Sequence, residues 1–315
     1  MLVVDLTRYL PGAYASRELL QFGARVVRLE PPQGDPMRHV APAWDALLNV
    51  GKESVECDLK LEPELGQALC ERADVVLEGF RPGVAARLGV GPDDLPDSVV
   101  YCSITGFGGD GPHALRAGHD LNYLGYAGVL EDTAPQLPPL QPADLAAGAL
   151  GAVTEVLAAL LERGRTGRGA RLTVSMTHGS HRLVSHRLCG DPLPRFLTGG
   201  AACYRIYETG DGRHVTVAAL EPKFFVRLCA VIGRPDLAEL HLVQDAQEEL
   251  AEELAAVFAS RRLADWLELC EAEDVALGPV ATLAEAAAEF GQPAAGRPPE
   301  VGEHTSAWRD ALGLS

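Results

Sequence analysis

The sequence has no CxxC pair. Its seven cysteines (Cys57, Cys70, Cys102, Cys189, Cys203, Cys229 and Cys270) are odd in number and widely scattered. That argues against a disulfide framework or a zinc site and for reduced thiols in a cytoplasmic chain. Basic charge is scarce as well. Lys plus Arg number 27 against 44 Asp plus Glu, a formal net charge of −17, which works against nucleic-acid backbones and anionic membrane surfaces as partners. An anionic ligand would need a local basic pocket. The opening MLVVDLTRYLPG carries no basic leader region, and no run of eighteen apolar residues occurs, so neither a signal peptide nor a membrane span is expected. There is no GK[ST] phosphate loop and no HExxH, and GFGGDG lacks the order and context of a dinucleotide fingerprint. Nucleotide hydrolysis and metal catalysis therefore lose ground, and no metal site is expected.

What is present is apolar and periodic. With 315 residues, 47% of them hydrophobic, the chain can bury one large core or two ordinary ones. LVVDL and ARVVRLE read as strands, and PGAYASRELLQFG between them reads as a helix, a βαβ unit with parallel strands. The rhythm repeats through ESVECDL, EPELGQALCERA, DVVLEGF and SVVYCSITGFG, which predicts a doubly wound α/β sheet whose strand-end loops are the place for a ligand. DLAAGALGAVTEVLAALLERGRTGRG predicts a long helix, followed by the strand ARLTVSM. The segment from Thr177 to Leu197 shows no clean period and reads as a connection. GGAACYRIYETGDGRHVTVAAL then reads as a hairpin turning at Asp-Gly, and two helical segments follow, EPKFFVRLCAVIG and EELAEELAAVFASRRLADWLELCEAE. The expected organisation is a large, mainly parallel α/β domain over 1–181, completed by 296–315, and a smaller α+β domain over 200–282. Linkers are expected at 182–199 and 283–295.

Three ionisable residues stand where the backbone pattern changes: His119, Asp144 and Glu221. Each has a structural reading beside a functional one. A loop histidine commonly just satisfies a hydrogen bond. Asp144, ahead of a long helix, suits an N-cap, and it equally suits a carboxylate that must be oriented among N–H donors. Glu221 precedes Pro222 and suits the first turn of a helix. Local pattern favours the structural reading for His119 and Glu221 and divides evenly for Asp144.

Taken together, VVDLTRYLPGAYAS, GARVVRLEPPQGDPMR, NVGKESVECDLK, VLEGFRPGVAARLGVGPDDL, VYCSITGFGGDGP and LERGRTGRGARLTVSM resemble the family III CoA-transferase superfamily (CaiB/BaiF type). RAGHDLNYLGYAGVL and GGAACYRIYETGDGRHVTVAALEPKFF are similar to its α-methylacyl-CoA racemase branch. The resemblance implies an isomerase of acyl-CoA and fatty acid metabolism, with CoA as part of the thioester substrate and no separate cofactor. It also implies an intertwined homodimer. His119 and Asp144 would be the two bases, and Glu221 the carboxylate paired with His119. CoA contacts would fall on Cys57, Asp58, Leu59 and Lys60, on Gly79, Phe80 and Arg81, on Arg87, and on Gly118, Asp120 and Tyr123. Lys60, Arg81 and Arg87 would supply the positive charge that phosphates require.

The implied reaction is inversion at the α-carbon of a 2-methylacyl-CoA by a base on one face and an acid on the other. Backbone N–H groups at the start of the Asp144 helix are expected to hold the enolate oxygen. Two alternatives stand. A CoA-transferase would use Asp144 as a nucleophile, forming an aspartyl-acyl anhydride, and DLAAG after Asp144 is closer to that style. A CoA-binding protein without turnover would leave His119, Asp144 and Glu221 together by coincidence. The histidine and EPKFF favour the racemase reading.

Overall fold

Val3, Val26, Val75 and Val100 are buried in one apolar cluster, and their neighbours Val4, Val27, Val76 and Tyr101 in another. Alternate residues of the same strands thus serve two cores, as in a sheet covered on both faces. In the computed structural model, which describes residues 1–190, 195–293 and 296–314, that sheet has six strands: β1 Leu2–Asp5, β2 Arg25–Glu30, β3 Glu53–Glu56, β4 Val75–Glu78, β5 Val100–Thr105 and β6 Arg171–Ser175. Their order is β3-β2-β1-β4-β5-β6, every pairing parallel. The strand order reverses between β1 and β4. Loops at the carboxyl ends of those strands therefore diverge and leave a crevice.

The chain forms two units, residues 1–185 with 293–315, and residues 186–292. In the first, Ala15 and Leu19 of the helix Leu10–Gln21 and Ala152 and Val156 of the helix Gly151–Thr166 join one face of the sheet. Leu65 and Leu69 of the helix Pro63–Glu71 cover the other. The C-terminal helix Thr305–Leu312 lies on this second face, where Trp308 is buried and donates its indole N–H to Glu53 at 2.7 Å. The helical run Ala143–Thr166 is long and apolar enough to span a membrane by length and composition. Its buried residues instead pack in the sheet's core.

The second unit holds an antiparallel sheet of β7 Tyr204–Glu208, β8 His214–Ala218 and β9 Leu277–Pro279. The turn between β7 and β8 places Gly212 at φ 72°, a left-handed position that glycine adopts freely. Phe225, Leu254, Phe258 and Trp266 fill the core beneath it, and Trp266 donates to the Phe258 carbonyl at 2.9 Å.

Several elements differ from expectation. Met176–Val184, expected partly as connection, is a helix capped by Ser175, whose Oγ accepts the His178 N–H at 3.2 Å. Its Ser, Gly and His residues blur the apolar period, and Gly179 allows close approach to Ala147. Residues 191–194 of the expected connection and 294–295 of the expected return lie outside the described residues. Leu283–Phe290, expected as linker, is a helix started by a capping box between Thr282 and Glu285. The long segment after residue 247 is two helices, Gln247–Phe258 and Leu263–Cys270, because Arg262 is extended and its N–H is taken by Asp265. The short helices Met37–Val40 and Pro42–Asn49 carry no sequence period long enough to announce them.

Candidate active site

The loops that leave β1, β4 and β5 at their carboxyl ends line a cleft of about 440 Å³. Each is held by a buried acid or by a ring. Asp5, at the end of β1, accepts the Thr7 N–H at 2.9 Å and the Thr7 hydroxyl at 2.6 Å. Glu78, at the end of β4, accepts the Phe80 N–H at 2.6 Å and so sets the Gly79–Arg81 turn; burial raises its carboxyl's pKa. After β5, Gly106 and Gly118 cradle the Tyr123 ring, since a Cβ on either would fall within 2.8 Å of it. The Tyr123 hydroxyl donates to the Gly118 carbonyl. Burial, with Asp144 and Asp120 nearby, pushes this phenol up to about 12.

His119 and Asp144 both line this cleft. His119 is extended at the N-cap of the helix Asp120–Ala127, and its backbone N–H donates to Asn122 Oδ1 at 3.1 Å. Its ring does not cap the helix. The imidazole instead lies edge-on to Tyr9, with centroids 6.5 Å apart and planes at 89°. Asp120 points back into the protein, where its Oδ1 accepts the Asp144 N–H at 2.9 Å and its carboxylate also takes the Ala143 N–H. Burial raises the Asp120 carboxyl's pKa despite these bonds.

Asp144 therefore does not cap its helix. Pro142 occupies the N-cap, and Asp144 is the second residue of a π-helical segment, Ala143–Leu150, that runs into the α-helix Gly151–Thr166. Such segments concentrate at functional sites. Asp120, on another helix, does the capping, which leaves the Asp144 carboxyl free for the cleft. Burial first, and the Asp120 charge second, push that carboxyl up to about 7. One expectation is corrected here: the N–H groups of Ala143 and Asp144 go to Asp120, and that of Leu145 goes to the Gln141 carbonyl at 2.9 Å. None is left for an enolate. At the other helix the N–H groups of Asp120 and Leu121 have no partner among the described residues.

A second, smaller cavity of about 90 Å³ lies over the ends of β2 and β3 and is lined by Cys57, Asp58, Leu59 and Lys60. It shares Arg8 and Phe80 with the cleft. Asp58 shapes its loop by accepting the Lys60 N–H at 2.9 Å. Burial pushes the Cys57 thiol up to about 11, the opposite of a reactive cysteine. The structure thus brings His119, Asp144, Gly79, Phe80, Arg81, Gly118 and Tyr123 to one cleft, with Asp120 behind it and Cys57–Lys60 beside it. Arg87 lines neither cavity, and its guanidinium donates to the Gly83 carbonyl at 3.2 Å. Glu221 belongs to the second unit, at the N-cap of the helix Pro222–Val231. Arg8, Tyr9 and Arg116 line the cleft without having been singled out from the sequence. The available signal was positional, since Arg8 and Tyr9 follow the first strand immediately.

The chain is similar to known proteins along most of its length. The chain is 34% identical over 304 residues to the α-methylacyl-CoA racemase of Homo sapiens, covering 90% of this chain and 77% of the relative. It is also 34% identical over 315 residues to Rv3272 of Mycobacterium tuberculosis, a probable fatty acyl-CoA transferase, covering 86% and 79%. The acetyl-CoA:oxalate CoA-transferase of Acetobacter aceti is 31% identical, covering 91% of this chain and 81% of the relative. A crystal structure of Rv3272 superposes with a TM-score of 0.84 at 29% identity over 98% of both chains. The model of CoA-transferase family III matches residues 1–305, and the chain belongs to that family.

Proposed function

We propose that the protein is an acyl-CoA racemase that inverts the α-carbon of a 2-methylacyl-CoA. The observation that carries this reading is a histidine and a carboxyl of raised proton affinity lining one cleft. Inversion needs two different groups, one of them protonated at the start. A carboxyl near 7 holds a proton in a large fraction of molecules at neutral pH, and imidazole is the side chain most often used as a general base. In one direction His119 removes the α-proton and the C–H electron pair moves into the thioester carbonyl, forming the enolate. The free N–H groups of Asp120 and Leu121 are the available donors for its oxygen. Asp144 then delivers its proton to the opposite face. The cycle leaves imidazolium and carboxylate, which exchange protons with water, and the reverse reaction swaps the two roles. Arg8, Arg81 and Arg116 in the cleft and Lys60 beside it are the cations available for the CoA phosphates.

The transferase reading uses Asp144 as a nucleophile, which requires it ionised. Relatives named as transferases or probable transferases at 30–34% identity support this second reading. Proton NMR of a 2-methylacyl-CoA with the protein in D2O separates the two. Loss of the α-proton signal without any acceptor acid is expected. No exchange, together with movement of CoA to an added carboxylic acid, would replace the racemase reading with the transferase one.

A further inference from the structure

We infer that Tyr9 is a positioning residue whose strained backbone holds its ring against His119. Tyr9 sits at φ 65° and ψ −163°, a region essentially reserved for glycine. A large side chain there persists only where the surroundings over-determine it, and such strain concentrates at functional sites. The restraint is visible. The Tyr9 N–H donates to Asp35 Oδ2 at 3.0 Å. The same oxygen lies 3.0 Å from the guanidinium of Arg28, and both side chains are almost fully buried. Asp35 Oδ1 accepts the Met37 N–H at 2.8 Å, so the carboxylate has no freedom to follow a relaxing backbone. Arg28 is in turn fixed by Asp45 at 3.2 Å and Glu30 at 3.5 Å.

The strain does not serve core packing. Tyr9 is 47% exposed. Among the described residues its hydroxyl makes no hydrogen bond, and the only ring it meets is that of His119. His119 has in turn no hydrogen bond from either ring nitrogen and no other ring contact among the described residues. The edge-on arrangement of the two rings is a favoured aromatic geometry. A buried ion cluster on β2 and the loop after it is thereby connected, through one strained peptide, to the orientation of a cleft imidazole. Glycine at position 9 would relieve the backbone and leave the imidazole free to rotate.

The catalytic consequence rests on the two-base reading, whereas the contact itself does not, so the test has two arms. In the first, the chain is labelled at its nine histidines and the His119 imidazole signal is assigned by its loss in His119→Gln. Tyr9→Leu should move that signal through loss of the ring current, and Tyr9→Phe should leave it close to wild type. An unmoved His119 signal in Tyr9→Leu overturns the proposal. In the second arm, Tyr9→Leu should lower kcat for α-proton exchange about tenfold, as expected for a misplaced catalytic group. KM should stay within about twofold, and Tyr9→Phe should restore kcat. Tyr9→Gly should lose exchange as Tyr9→Leu does, with a Tm at least that of wild type. A wild-type rate in Tyr9→Leu, or a Tyr9→Phe that fails to restore it, would overturn the positioning role. If wild type exchanges no α-proton, the racemase reading falls, and the imidazole signal still decides whether Tyr9 holds His119.

Discussion

Replacing Asp144 with asparagine should stabilise the protein, and more so in mildly alkaline solution than in acid. Folding moves the Asp144 carboxyl from its ordinary 3.8 up to about 7. Between those values the folded chain keeps a proton that the unfolded chain has released, so stability falls as pH rises through this window, and the cost is complete above about 7. Three units at about 1.4 kcal/mol each give an upper bound of about 4 kcal/mol at pH 8. The same relation leaves about 2 kcal/mol at pH 5.5, half a unit or so above the pI of 4.9. The cleft is open, and water screens part of this cost, so the gain from Asp144→Asn should be larger at pH 8 than at pH 5.5 by about 1–2 kcal/mol. Urea unfolding of both proteins at the two pH values measures it. A gain independent of pH, or none at either pH, would mean that Asp144 ionises as an ordinary aspartate, and the two-base mechanism would lose its acid. Stability gained by removing a functional group is the usual sign of an active site that holds an unfavourable charge.

Asp120→Asn keeps an oxygen acceptor for the N–H groups of Ala143 and Asp144 but removes the charge that raises the Asp144 pKa. Asp120 is the smaller cause of that rise, so the alkaline limb of the α-proton exchange profile should move toward acid by about one unit. An unmoved limb would assign the whole rise to burial. Glu221→Gln should keep CoA affinity within a few-fold and lower the exchange rate, measured on a variant shown to be folded. A wild-type rate would return Glu221 to the role of a helix-start residue.

The sequence by itself determined the sheet and the neighbourhood of the site. Valine pairs at the strands and glycines after the helices report which faces are buried, and burial with a fixed period is a local property. Parallel strands joined by helical crossovers then bring the loops at Thr7, Gly79 and Gly106 to one edge. His119 and Asp144 stand where such a pattern changes, but local pattern alone left them as structural residues as readily as functional ones, and the resemblance to a family singled them out. Tertiary structure decided what these residues are able to do. Asp144 looks like a cap in the sequence, and it is free for the cleft only because Asp120, 24 residues earlier, takes its N–H. Tyr9 looks like a loop residue, and only Asp35 and Arg28, at 26 and 19 positions away, hold it in a conformation it would not choose. Lys52, to which the sequence assigned no role, is fully buried just before the third strand; its ammonium donates to Ala13 O, Ser16 Oγ and Asn49 Oδ1, and burial pushes it down to about 7. Proton affinity and backbone strain depend on which charges and donors lie within a few ångströms. Those neighbours come from distant parts of the chain, where no local period records them.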